Sequence, residues 1–210
     1  MPEDFTARHF SSQPRYGERR GLPNPAFLDA ELFESGWLEP LAPYFERIAV
    51  MIFEFGTFSK ADYAEPAQFF EDLAAFLSRL PRGLRYCVEI RNDDYLQAPY
   101  FDLLRSNGVA HTLTSWSRMP SLREQLLIGD VFTAPHTAAR ALLRPGRSYD
   151  QAVKLFAPYR EIKEAYPSGR NALRELISRA RREKRMAYIH INNRFEGNAI
   201  GTIEGILEDG

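Results

Sequence analysis

The chain has 210 residues, 44% hydrophobic and 26% charged, and 27 Lys+Arg against 28 Asp+Glu leave a formal net charge of −1. Aromatic residues at 13% with balanced charge exclude a disordered chain and predict one globular domain over 1–210 with a sizeable core. No stretch approaches the ~20 apolar residues of a membrane span, the opening MPEDFTARHF is too polar for a secretory leader, and the single Cys87 excludes an internal disulfide, so a cytoplasmic protein without a membrane partner is expected.

Residues 11–29, SSQPRYGERRGLPNPAFLD, are too rich in Pro, Gly and Arg for a regular element and read as a long functional loop. The apolar run 46–54 reads as a strand buried on both faces. Phe69, Phe70, Leu73, Phe76, Leu77 and Leu80 recur at helical steps behind Pro66 and predict a helix over 65–80. A second strand is expected in RYCVEIRN, 85–92, followed by a helix from Pro99 that Asn107-Gly108 ends. VAHTLTS, 109–115, is rich in β-branched residues and predicts a third strand, then a short helix over 120–127 and a fourth strand at 131–133. Ser148 with Gln151 predicts a capped helix to about Tyr166 that Pro167 breaks, and Ser168 caps the next. A strand over 186–192 and a helix over 202–207 complete the chain. This alternation predicts an α/β fold with a parallel sheet.

The period of two puts Cys87, Glu89 and Arg91 on one strand face, and Tyr188, His190 and Asn192 on one face of another; Glu54 ends its own strand. Polar residues thus gather at strand C-termini, where parallel α/β folds hold their ligands. Glu54, Glu89 and His190 are the candidate catalytic residues, and Arg91, with its planar fork, a candidate ligand-binding one. Each also has a structural reading: Glu89 with Arg91 as an intrastrand ion pair, His190 as a hydrogen-bonded interior group. Cys87 reads as an inert buried thiol. Arg179, Arg181, Arg182, Lys184 and Arg185 read as a solvated helix face, with nucleic-acid contact as the alternative. No nucleotide-cofactor or zinc motif occurs.

VEIRN (88–92), FEFGTF (53–58) and INNRFEGNAIGTI (191–203) together resemble the YecE-like family, domain of unknown function 72. The resemblance spans about 4–207. The family pairs an acid-x-Arg strand end, like Glu89-Ile90-Arg91, with a paired asparagine followed by Gly and Ala, like Asn192-Asn193 with Gly197 and Ala199. It implies a TIM-type parallel barrel of which this chain carries about five to six of eight strand-helix units. The family's first two strands, with Gly-x-Ser-x-Trp and Glu-x-Asn-x-Thr-Phe-Tyr motifs, have no counterpart here. An N-terminally truncated barrel is therefore expected, with edges near Val50 and Ile189 left open to association. The family's Arg-x-His-Gly motif is also absent, and Arg147 and Tyr149 are expected to occupy part of that corner.

The family supplies no activity to transfer. The residues themselves suit an enzyme acting on a small polar or phosphorylated ligand, with Arg91, Asn192, Asn193 and Arg147 binding it and a divalent metal as an option. A non-catalytic nucleic-acid-binding module and an inactive truncated remnant are the alternatives.

Overall fold

The computed structural model describes residues 3–208, and they divide into two compact units, one reaching Val109 and one starting at Ala110. In the first unit, a series of short helical turns that includes α1 (Ala30–Phe33) and α2 (Glu39–Leu41) precedes β1 (Met51–Glu54), α3 (Pro66–Ser78), β2 (Tyr86–Glu89) and α4 (Ala98–Ser106). β1 and β2 pair in parallel, Met51 beside Tyr86 and Glu54 beside Glu89. That register sets the two glutamates side by side at the C-terminal ends of their strands.

The core of this unit is aromatic. Phe53 from β1 meets Phe33 of α1 at 5.2 Å and Phe76 of α3 at 5.1 Å, ring centre to ring centre, all edge to face, while Phe55 and Phe58 just past β1 pack on Phe69. Such contacts add specific geometry to a large buried apolar area. α3 starts where Pro66 needs no hydrogen-bond partner for its nitrogen, and Gln68 reaches back to accept from the Glu65 backbone at 3.3 Å.

The second unit runs β3 (Ala110–Ser115), α5 (Leu122–Leu126), β4 (His136–Ala141), α6 (Tyr149–Phe156), α7 (Pro167–Arg182), β5 (Met186–Ile191) and α8 (Ala199–Leu207). β4 lies between β3 and β5, parallel to both. β3 is buried along its whole length, as a parallel strand covered on both faces should be, whereas every residue of β5 keeps some exposure. All the strands of both units therefore pair in parallel and alternate with helices, which makes the chain α/β. No described helix is long and apolar enough to cross a membrane.

The fold departs from several sequence expectations. Residues 46–50 do not extend β1; Ala42–Arg47 is a tight helical turn leading into it. The fourth strand is not at 131–133 but at His136–Ala141. Val131 and Phe132 are instead buried in a lead-in, where Thr133 Oγ1 accepts from the His111 backbone at 2.9 Å. The helix expected to reach Tyr166 stops at Phe156, because Pro158 cannot donate the next backbone bond. Pro167 opens α7 instead of breaking a helix, and the final helix begins three residues early, where Asn198 Oδ1 accepts from Gly201 N at 2.8 Å. Within 11–29, Pro14–Arg19 forms a short helical turn, and an isolated bridge joins His9 to Pro23.

Candidate functional site

Arg91 lies two residues past β2, and its guanidinium gathers two acids. Nη2 pairs with Glu54 at the end of β1, and Nε lies 3.4 Å from Glu89 Oε1 at the end of β2. The Glu89 side chain is fully buried, whereas that of Glu54 is 37% exposed. Of the two predicted catalytic carboxylates, Glu54 is therefore the one a ligand can reach, and Glu89 is placed to hold Arg91. The backbone fixes this arrangement. Phe55 N donates to Glu89 O at 2.8 Å, and Asn92 clamps the loop after β1, accepting from Phe58 N at 2.7 Å and donating to Phe58 O at 3.1 Å.

Glu54 and Arg91 line a cavity of about 550 Å3 within the first unit. Phe10 and Phe58 give it apolar wall, and Gly56 and Thr57 give it backbone at the strand ends. It also contains a pair that the sequence did not single out. His9 Nδ1 lies 2.9 Å from Asp62 Oδ1, and Asp62 Oδ2 accepts from both the backbone and the hydroxyl of Ser59 at 2.7 Å. Burial works to raise the Asp62 pKa, but the two Ser59 hydrogen bonds and His9 outweigh it and hold the carboxyl below its ordinary value. His9 is delivered by pairing on both sides, Phe10 N to Leu22 O at 3.0 Å and Asn24 N to Arg8 O at 2.9 Å. A charged or polar group in an irregular segment, with its partner 53 positions away, leaves no spacing signal to read.

The remaining predicted residues lie in the second unit. Arg147 and Arg144 converge on Glu164: Arg147 Nη2 lies 2.9 Å from Oε2, and Arg144 pairs with Oε1 and the backbone carbonyl. His190 is exposed on β5, beside Arg140 of β4 in the register. Asn192 and Asn193 build the turn after β5. Asn192 Oδ1 accepts from Arg194 N at 2.9 Å and Asn193 Oδ1 from Ala199 N at 2.7 Å.

The N-terminal arginines do not gather on Arg91: Arg15 pairs with Glu3, Arg19 lies over Phe10 and Arg20 Nε donates to Gly17 O at 2.8 Å. In the 179–185 cluster, Arg179 and Arg185 are both drawn onto Glu183 at 2.9 Å. Among the described residues, no group of three His, Cys, Asp or Glu is arranged to hold a metal ion. Cys87 is buried.

Two crystal structures share the fold. A DUF72 family protein of Enterococcus faecalis V583 superposes with a TM-score of 0.57 at 16% identity, over 88% of this chain and 68% of that one. A DUF72 family protein of Thermotoga maritima MSB8 gives 0.56 at 17% identity, over 86% of this chain and 64% of that one. Comparison with curated proteins gives no match. The sequence profile described as "Protein of unknown function DUF72" matches residues 7–209, nearly the whole chain, and the chain belongs to that family.

Proposed function

We propose that the protein is an enzyme that binds a hydroxyl-bearing polar small molecule at the C-terminal ends of β1 and β2 and moves a proton on it. Ligands of parallel α/β folds sit at that end of the sheet. The observation that carries the reading is the His9–Asp62 pair in the same cavity as Glu54 and Arg91. With Nδ1–H donating to Asp62, the imidazole presents the Nε2 lone pair as a base, and Asp62 steadies the imidazolium that forms when Nε2 takes a proton. Glu54 is the second exchangeable group of the cavity, and Glu89 acts through Arg91.

The charge balance selects the ligand class. Arg91 already serves two carboxylates, and Arg8, the other arginine on the cavity wall, pairs with Asp72 at 3.4 Å while Glu3 and Asp62 add negative charge to the lining, so the cavity offers little excess positive charge for a phosphate. A mixed set of acceptors and donors against Phe10 and Phe58 suits sugar-like hydroxyls with apolar faces. Thermal-shift screening of neutral sugars and polyols against sugar phosphates and nucleotides tests this, followed by turnover assays on each binder. A neutral polyol that stabilises the protein and is turned over by wild type, but only bound by His9→Gln, supports the reading. Binding confined to phosphorylated compounds, or turnover untouched by His9→Gln, overturns it.

A further inference from the structure

We propose that the second unit carries a separate anion site, in which Arg144 and Arg147 of the turn after β4 take the phosphate group of a phosphate monoester in place of Glu164. The turn leaves β4 at its C-terminal end, the end at which parallel α/β folds hold ligands. It is braced by its own backbone. Gly146 N donates to Ser117 O at 2.8 Å and Arg147 N to Arg144 O at 3.1 Å, with Gly146 at φ +77°. Each guanidinium is then laid on an aromatic ring: Arg144 Cζ stands 4.7 Å from the ring centre of Tyr166, and Arg147 Cζ 5.2 Å from that of the fully buried Phe156. Two planar forks fixed in this way present bidentate geometry to oxygen acceptors.

The acceptors at hand are too few. Glu164 serves both arginines: Arg147 Nη2 reaches its two oxygens at 3.1 and 2.9 Å, and Arg144 pairs with Oε1 and with the backbone carbonyl. Arg144 Nε and Arg147 Nη1 are nevertheless buried donors that meet no acceptor among the described residues. Folded proteins leave few such groups, and an ion is one way of satisfying them. Charge balance points the same way. Burial pulls the Arg144 guanidinium below its ordinary pKa; Glu164 opposes that shift and Arg147 adds to it, so a single carboxylate leaves the two cations repelling each other. Arg194, whose Cζ stands 4.5 Å from the ring centre of Tyr149 at the start of α6, brings a third cation, and its Nε is another buried donor without an acceptor. In the first unit one arginine faces two carboxylates; here two arginines share one.

Glu164 is also the group that can give way. Its side chain is 42% exposed and lies in the connection between α6 and α7, whereas those of Arg144 and Arg147 are 14% and 19% exposed. A phosphate dianion matches the charge of the two forks once the carboxylate turns to water. The adjoining cavity of about 460 Å3 has room for the rest of the ester, against Pro145, Leu155 and the Gln151 amide.

Isothermal titration calorimetry of the 210-residue chain at about pH 8, where a phosphate monoester is a dianion, compares phenyl phosphate, inorganic phosphate and benzoate at constant ionic strength. Phenyl phosphate is expected to bind most tightly and benzoate least. Arg147→Gln is expected to weaken phenyl phosphate by about 10–100-fold, the range for one charge-assisted hydrogen bond. Glu164→Gln should tighten it, because the competing carboxylate is gone, a gain that a merely structural ion cluster does not predict. Circular dichroism reports whether each variant is folded; should Arg147→Gln not fold, Glu164→Gln decides alone. His9→Gln should leave phenyl phosphate binding unchanged, which separates this site from the cavity of the first unit. No binding of phenyl phosphate at millimolar concentration, benzoate binding as tightly, unchanged affinity in folded Arg147→Gln, or weaker affinity in Glu164→Gln would overturn the proposal.

Discussion

His9 and Asp62 meet at 2.9 Å from two loops 53 positions apart, on the wall of a cavity that also receives Glu54 and Arg91. The pair gives the imidazole one tautomer and one direction. On any compound the protein turns over, His9→Gln is expected to lower kcat by about 10²–10⁴-fold with KM little changed, the range for a lost general base. Asp62→Asn should lose kcat as well, with binding retained. Steady-state kinetics on the three proteins separate these outcomes.

The low pKa of Asp62 has a stability sign. A carboxyl held below its unfolded value contributes stability above the unfolded pKa of 3.8 and loses it as pH falls through the folded value. His111 acts in the same direction at higher pH. Burial drives its imidazole from 6.5 to about 3, against a hydrogen bond with Gln125 that raises it. The unfolded chain therefore takes this proton first, so stability is fully present above pH 6.5 and is lost progressively as pH falls toward 3. Between pH 7 and pH 5 the loss is on the order of 2 kcal/mol. Denaturant titrations of wild type and His111→Gln at the two pH values should show that slope in the wild type only.

Glu196 is fully buried and accepts from Arg170 Nε at 3.0 Å and Nη2 at 2.9 Å, and from the Tyr166 backbone. Arg170→Met removes the cation and is expected to cost about 3–5 kcal/mol, as truncating one side of a buried pair does. Adding Glu196→Gln should restore part of that loss. Urea unfolding midpoints of the single and double variants read the coupling.

The turn after β5 is scaffold that the asparagines build. Gly197 has φ +117°, and a Cβ there would come within 2.5 Å of the Glu161 carbonyl oxygen. Gly197→Ala is expected to destabilise by more than about 1 kcal/mol. Asn193→Ala, which loses the bond to Ala199 N, should lower Tm by about 2–4 °C, the size of one hydrogen bond in a chain of this length. Differential scanning calorimetry resolves both.

Helical period made α3 and α4 legible within two residues at each end, because each is decided by its own apolar spacing, and β2 was placed within one residue at its start although it ends at Glu89, three residues before the expected 92. β4 was not legible. Ala138, Ala139 and Ala141 carry little intrinsic strand preference, and the segment is a strand because β3 and β5 flank it. At the site, Glu54, Glu89 and Arg91 could be named from strand ends, yet only the register shows that Glu89 is sealed behind Arg91. His9 escaped, since no periodicity links an irregular segment to a turn far along the chain.

The most direct test is a set of amide NMR spectra of the protein titrated with neutral polyols and with sugar phosphates. A neutral polyol is predicted to shift the amides of His9, Gly56, Thr57 and Asp62 together, which line the cavity. Shifts confined to Gly146 and Arg147, or produced by the phosphorylated compounds alone, would contradict the assignment of this cavity to a hydroxyl-bearing ligand.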